Sequence, residues 1–245
     1  MERPVVAAER AVQAAYDAVA DTYADFYTAT EGEQPEDLAM IDRFCAAVRG
    51  PRRVLDAGCG AGRLLPYLAA RGCNPAGVDL SAGMIRRARS DHPGFPTAVA
   101  SLTALPFPDA TFDGVFAWYS LIHTPDASLP PIVAELRRVL TPGGVLLVAF
   151  QAGEGVRDIG AAFGPYGHDV TLLRHHRSAA SMERMLAAEG FVPLDRLERP
   201  PVAGEREDQV VLIVEVPAPA DLAAPERRIA AAATRGAVGQ DGTHG

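Results

Sequence analysis

At 245 residues, with 48% hydrophobic and 22% charged content, the chain is long enough to bury one substantial core and too apolar to be disordered throughout. All 23 of its basic residues are arginines, which excludes Schiff-base or lysine-base chemistry and the lysine of a nucleotide P-loop. The formal charge of −8 disfavours DNA, RNA or an anionic membrane as a partner, since each is a polyanion.

Residues 8–28 are rich in alanine, and Val12, Tyr16, Val19, Tyr23 and Phe26 recur at spacings of three and four, which predicts a helix with an apolar stripe. A polar turn over 30–37 follows, with Pro35 suited to the first turn of a second helix reaching about Val48. From Val54 the pattern becomes strand, glycine turn and helix, repeated. Strands are expected over 53–57, 75–79, 95–100, 111–119 and 145–150. Helices are expected over 62–71, over 81–90 with Ser81 as cap, and over 128–140, where Pro130 and Pro131 are tolerable only near the start. "TPGG" at 141–144 punctuates this series. Strands alternating with helices predict an α/β, doubly wound parallel sheet with right-handed crossovers.

Residues 151–177 are glycine- and histidine-rich, lack periodicity and read as a long loop over the sheet edge, with room for a short helix. A helix over 178–189 follows, capped by Ser178, and then two extended segments, "FVPLDRLERPP" and "QVVLIVEV", pair antiparallel at one edge. The expected organisation is a helical lid over 1–50, a core over 51–217 with its substrate-pocket insertion at 151–177, and an Ala/Pro-rich tail over 218–245. Neither a run of about 18 apolar residues nor an apolar leader is present, so a cytoplasmic location is expected. Cys45, Cys59 and Cys73 lack CxxC spacing and read as reduced thiols. Arg86, Arg87 and Arg89 are the nearest thing to a basic patch and read as a solvated helix face.

"VLDAGCGAGRLL", 54–65, places Gly58, Gly60 and Gly62 just past the first strand of the unit. In a doubly wound sheet ligands sit beyond the carboxyl ends of the strands, so the bare turn gives backbone amides room for a cofactor, or is simply a tight structural turn. Arg63 stands where a dinucleotide fingerprint needs a small residue. Asp79 ends the second strand and is placed to accept hydrogen bonds from vicinal ribose hydroxyls, which favours a nucleoside ligand.

"VLDAGCGAGRLL", "GVDLSAGMIRRAR", "LTALPFPDATFDGVFAWYSLIH" and "ELRRVLTPGGVLLVAF" resemble, in order, the motifs of class I S-adenosylmethionine-dependent methyltransferases over about residues 16–216. The resemblance implies a mostly parallel, seven-stranded Rossmann-like sheet with an antiparallel last strand. It also implies S-adenosylmethionine as cofactor, leaving as S-adenosylhomocysteine. Asp56 would lie near the methionine end, with Gly58, Cys59, Gly60 and Gly62 along the bend. Asp79 would hold the ribose, and Leu80 and Met84 would flank the adenine. Ala117 and Trp118, at the tip of the fourth strand, would border the cofactor. The chain departs from the pattern ahead of "LPF": where such enzymes commonly carry an acid for the adenine amine it has Ser101, a weaker acceptor, followed by Leu102, whose N–H would meet the ring.

Methyl transfer from a sulfonium is an in-line displacement, so the protein supplies chiefly alignment and, where needed, a base. His123, just past the fourth strand, is the candidate base or substrate contact, with an ordinary pKa suited to neutral pH, or else a loop-packing histidine. Tyr16 and Tyr23 belong to "YDAVADTY", which is similar to the helix that closes over related sites; Tyr16 is the second catalytic candidate. Trp118 and Tyr119 are expected as an aromatic wall. Among His168, Arg174, His175 and His176 in the insertion, some would line the acceptor pocket, and no metal site is expected. These readings favour a methyltransferase, monomeric or homodimeric, acting on O, N or C of a small molecule. The Ala-, Arg- and Pro-rich composition suits a high-GC bacterial source and natural-product chemistry. A tRNA or protein methyltransferase, a non-catalytic protein retaining the cofactor fold, and a different alkyl donor are the alternatives.

Overall fold

The structure is a computed structural model that describes residues 4–218; the tail expected over 218–245 lies, beyond Ala218, outside the described residues. Two helices, α1 (Pro4–Phe26) and α2 (Pro35–Ala47), precede the sheet. Pro35 starts α2 because its missing N–H costs nothing in the first turn, and the Asp37 carboxylate accepts from the Gln34 N–H at 3.1 Å. The sheet strands are β1 (Arg53–Ala57), β2 (Asn74–Asp79), β3 (Thr97–Val99), β4 (Phe112–Trp118) and β5 (Leu140–Gln151). Helices α3 (Leu65–Ala70), α4 (Ala82–Asp91) and α5 (Leu129–Val139) connect them. A two-stranded excursion, β6 (Val156–Asp158) and β7 (Leu173–His175), precedes α6 (Ala179–Ala188) and the closing pair β8 (Val192–Arg199) and β9 (Gln209–Glu215).

Seven strands form one sheet in the order β3-β2-β1-β4-β5-β9-β8. The pairs among β1 to β5 are parallel and β9 runs antiparallel to both β5 and β8, the seven-stranded, doubly wound arrangement expected from the motifs. Strand order reverses between β1 and β4, so the crevice for a ligand opens at the carboxyl ends of β1, β2 and β4.

Alternation along the central strands explains the two buried layers. Leu146, Val148 and Phe150 of β5, with Val210, Leu212 and Val214 of β9, meet Ile132, Val133 and Leu136 of α5 and Met182 and Leu186 of α6. Val145, Leu147 and Ala149, with Val211 and Ile213, face the opposite way onto Met40, Ile41 and Phe44 of α2 and Leu68 of α3. Each such large apolar side chain, fully buried, contributes about 1.5–3 kcal/mol.

Three expectations are corrected. "TPGG" is not a break: 141–144 runs within β5 as an irregularity, where pairing with β4 jumps from Phe112↔Leu140 to Gly114↔Val145. The insertion holds the short helix allowed for it, a 3₁₀ segment over Gly160–Tyr166, but is more ordered than a loop, because β6 and β7 pair antiparallel around that segment. Phe26 closes the expected apolar stripe but is 61% exposed; among the described side chains of α1, Ala15, Val19, Ala20 and Ala24 are buried.

Candidate active site

The glycine bend is tied to the second strand rather than left floating. The N–H groups of Gly58 and Cys59 both donate to the Val78 carbonyl, at 2.8 and 2.9 Å. Asp79 then holds both loops: one carboxylate oxygen accepts from the Gly60 N–H at 2.9 Å and the other from the Ser81 N–H at 2.8 Å. Burial pushes its pKa up, with the Ser81 and Gly60 N–H groups opposing. Each oxygen retains lone-pair capacity for ribose hydroxyls. Asp56 is buried beneath, without a hydrogen bond among the described residues; burial raises its pKa to about 8, with Arg63 opposing and the Asp79 charge adding to the rise.

The glycines play unequal parts. Gly58 has φ +87°, and a Cβ there would lie 2.3 Å from that of Ser120, so the protein's own loop demands glycine. At Gly62, with φ +79°, a Cβ would meet Leu65 and Ala88 at 3.1 and 3.3 Å, which makes it a helix-packing position. Of the three bend glycines, Gly58 and Gly60 border the cavity and Gly62 does not. Cys59 is turned onto Gly77, Ala117 is fully buried in the core, and neither they nor Asp56, Gly62 and Ser101 line the opening.

A cavity of about 740 Å³ lies over this bend. Asp79, Leu80, Met84 and Leu102 line one end; Trp118, Tyr119, His123 and Arg174 line the other. Helix α1 covers both, presenting Glu9, Val12, Tyr16 and Tyr23 to the interior. It is fastened to α4, where the Asp17 carboxylate accepts from the Ser81 hydroxyl at 2.6 Å and the Gly83 N–H at 2.8 Å. Arg86 pairs with Asp21 and Arg87 with Asp25, each at 2.8 Å, while Arg89 donates to the Thr97 carbonyl. These arginines therefore fasten α1 and the β3 edge instead of forming a free basic face.

The Tyr16 hydroxyl lies 2.8 Å from His123 Nε2, and His123 Nδ1 lies 2.7 Å from the Leu173 carbonyl. A carbonyl only accepts, so Nδ1 carries the proton and Nε2 accepts from Tyr16. Burial lowers the His123 pKa to about 4 against the raising effect of the Leu173 carbonyl, and burial raises that of Tyr16. The expectation of an ordinary imidazole, free to take a proton near neutrality, is thus corrected: His123 is neutral and its lone pair is engaged. Tyr23 is likewise pushed up to about 12 by burial, with Arg63 opposing.

The far wall is ordered by charge. Glu33 accepts from both arms of Arg63, at 2.6 and 3.0 Å, and from Trp118 Nε1 at 3.2 Å. The Tyr119 hydroxyl donates to Gln209 Oε1 at 2.8 Å. Arg157 and Arg174 both lean on Glu207. His168 and His175, expected in the acceptor pocket, do not line it: His168 bonds Thr22 of α1 at 2.8 Å, and the His175 N–H donates to the Ile122 carbonyl. Arg174 alone of the insertion candidates reaches the cavity, while His176 is buried beside Glu207. Glu9, Glu33, Arg157 and Glu207 were not singled out by sequence, because their roles arise from contacts with remote segments. Among the described residues, no group of three or more His, Cys, Asp or Glu is placed to hold a metal ion. No helix among them is long and apolar enough to cross a membrane.

A doubly wound sheet with a bare bend, an acidic strand tip and an apolar slot at its switch point defines a nucleoside-cofactor-binding α/β protein. Residues 54–144 match the family described as "Methyltransferase domain". Malonyl-[acyl-carrier protein] O-methyltransferase of Halorhodospira halophila is 33% identical over 188 residues, 75% of this chain and 62% of that protein. The enzyme of the same name from Erwinia billingiae is 33% identical over 134 residues, 52% of this chain and 53% of its own length, so this chain spans about half to three-fifths of these relatives. By fold it is similar to Burkholderia thailandensis 1,6-didemethyltoxoflavin-N1-methyltransferase, solved with 1,6-didemethyltoxoflavin and S-adenosylhomocysteine. The TM-score is 0.68 at 19% identity, covering 89% of this chain and 92% of that one. Residues 54–144 therefore form a methyltransferase domain, and these likenesses support a class I S-adenosylmethionine-dependent methyltransferase, whose cofactor is S-adenosylmethionine. The chain's residues fit that group: Gly58 and Gly60 leave the cavity floor free of side chains, Asp79 keeps acceptor capacity, and Leu80, Met84 and Leu102 offer apolar walls to a flat ring.

Proposed function

We propose that this chain transfers a methyl group from S-adenosylmethionine to an O, N or C nucleophile of a small metabolite. One observation carries the reading: a single cavity joins the Asp79 and Leu80 end to the Tyr16, Tyr119 and Arg174 end under one covering helix. When bound, the cofactor supplies an electrophilic methyl group; the chain then has to align an acceptor and exclude water. Residues α1 and the β6–β7 excursion do the covering. The Tyr16 hydroxyl, donating to His123, keeps oxygen lone pairs to accept from an acceptor O–H or N–H. His123 is a positioning residue, since holding a proton at pH 7 with a pKa near 4 would cost about 4 kcal/mol. The Gly58–Gly60 bend, with Asp56 buried beneath it, serves the methionine end, and Asp79 the ribose.

A small acceptor is favoured because the site is roofed and three of the four arginines lining it, Arg63, Arg157 and Arg174, are paired with Glu33 and Glu207, which argues against a basic track for nucleic acid among the described residues. Relatives named for a malonylated carrier protein make a malonyl thioester the first acceptor to try, followed by planar heteroaromatics like the ligand of the Burkholderia enzyme. A cytoplasmic monomer or homodimer in natural-product chemistry accords with this reading. Calorimetric titration with S-adenosylmethionine, followed by labelled-methyl transfer across such a panel, tests it. Absence of binding at millimolar concentration would leave only a scaffold role.

A further inference from the structure

We propose that Glu9 of α1, rather than any residue of the sheet, is the carboxylate that accepts the exocyclic amine of the cofactor's purine. The inference rests on reading the cavity as an S-adenosylmethionine site and adds a recognition residue to it. Position 101 carries a hydroxyl, and that hydroxyl is committed. Ser101 Oγ donates to Glu9 Oε1 at 2.5 Å and accepts from the Thr103 N–H at 3.0 Å. Thr103 Oγ1 adds a contact to the same Glu9 oxygen at 3.4 Å. Two side chains of the post-β3 loop therefore hold one oxygen of a carboxylate that arrives from a helix 92 residues earlier in the chain.

The second oxygen, Oε2, takes no hydrogen bond among the described residues, and Glu9 has no ion-pair partner among them. Glu9 borders the cavity where Leu80, Met84 and Leu102 form its apolar walls. Apolar walls with one anchored carboxylate beside them prefer a flat ring presenting N–H donors there. They disfavour a ring presenting a carbonyl oxygen, which faces the negative charge without a proton between them. Because the carboxylate belongs to α1, recognition of the base and seating of the covering helix become one event. The side chain at 101 then acts as a holder for Glu9, which accounts for a hydroxyl in place of an acid.

The test is calorimetric binding to the full chain of S-adenosylhomocysteine and its 6-oxo counterpart, S-inosylhomocysteine. The wild-type protein should prefer the 6-amino ligand by at least about tenfold. Glu9→Gln should weaken S-adenosylhomocysteine about tenfold and shrink the preference to within about threefold, as expected for loss of a hydrogen bond to a charged group. Glu9→Ala combined with Ser101→Asp should restore the preference, because the acid then stands on the sheet. Hydrogen exchange across α1 should slow on adding S-adenosylhomocysteine to the wild type and respond less in Glu9→Gln. Should Glu9→Gln fail to fold, Glu9→Asp, which draws the charge back by one methylene, is read the same way. A wild-type preference that survives unchanged in the variant overturns the role of Glu9 while leaving the cofactor reading intact. No binding of either ligand to the wild type overturns both.

Discussion

Asp56→Asn should stabilise the ligand-free protein at neutral and alkaline pH, and do almost nothing at acid pH. Asp56 is 3% exposed, and burial raises its pKa to about 8 with Arg63 only partly compensating. In the unfolded chain the same carboxyl titrates near about 3.9. Between these two values the folded state binds a proton that the unfolded state has released, so stability falls as pH rises, by about 1.4 kcal/mol per unit. The loss starts near pH 4 and is complete above about pH 8. At pH 7 it amounts to about 4 kcal/mol, an upper figure because relaxation around the charge softens it. Asparagine has the same shape and, like the neutral acid, no charge to bury, so the substitution removes the protonation cost and little else. Scanning calorimetry of both proteins without ligand should show Tm raised by roughly 4–10 °C at pH 7.5 and by less than about 2 °C at pH 4. The two Tm profiles would converge as the solution becomes acidic. Parallel profiles, or a variant less stable at pH 7.5, would refute the argument that a buried, unpartnered carboxyl sits under the bend.

Tyr16→Phe leaves His123 Nε2 without its donor, which should cost about 1–3 kcal/mol in urea unfolding. Cofactor affinity should stay within about threefold, whereas methyl transfer to the identified acceptor falls at least about tenfold. Glu33→Gln breaks an ion pair whose side chains are 16% and 6% exposed, and should destabilise by about 3 kcal/mol. Trp118 is the chain's one tryptophan and donates to Glu33, so its emission should shift in the folded variant. Gly58→Ala combines a left-handed φ with a collision against Ser120 and should cost about 2–4 kcal/mol in calorimetry or urea unfolding. Adding Ser120→Gly should recover the collision share alone, and Gly60→Ala, whose nearest neighbour would be Tyr23 at 4.0 Å, should cost only the backbone share.

Short-range signals made much of the fold legible. The apolar runs of β4, β5 and β9 are buried on both faces, and Ser81 and Ser178 accept from the Met84 and Ser181 N–H groups as helix caps should. β6 and β7 are three residues each, too short for alternation to register; they set Arg157 opposite Arg174, and both arginines are drawn to Glu207 from a remote segment. Within the site, Gly58, Gly60 and Asp79 could be read because the bend and the strand tip are local features. Tyr16 with His123, Glu9 with Ser101 and Glu33 with Trp118 lie 107, 92 and 85 residues apart, so no spacing rule reaches them. The same distance misled the histidine assignments: His168 looked like a pocket residue by its place in the insertion, but its ring is used to bind the insertion to α1.

Helix α1 explains why those remote contacts fall in one line. Glu9, Tyr16 and Tyr23 are spaced by seven, two turns apart, so they share a face and each stands about 10 Å along the helix from the next. Along that face Glu9 meets Ser101, Tyr16 meets His123, and Tyr23 approaches Gly60, which spans the cavity from the end with Leu102 to the glycine bend. Asp17, Asp21 and Asp25 are spaced by four and form a neighbouring stripe, and each contacts α4 or its cap. The two stripes are fixed in phase by the helix, so the recognition face is correctly aimed only when the acidic stripe is engaged. Asp21 and Asp25 are 63% and 71% exposed at their side chains, and such pairs contribute about 0–1 kcal/mol each. The clamp therefore fixes direction more than it supplies strength, and a helix held in this way can lift to admit ligand while returning to one register.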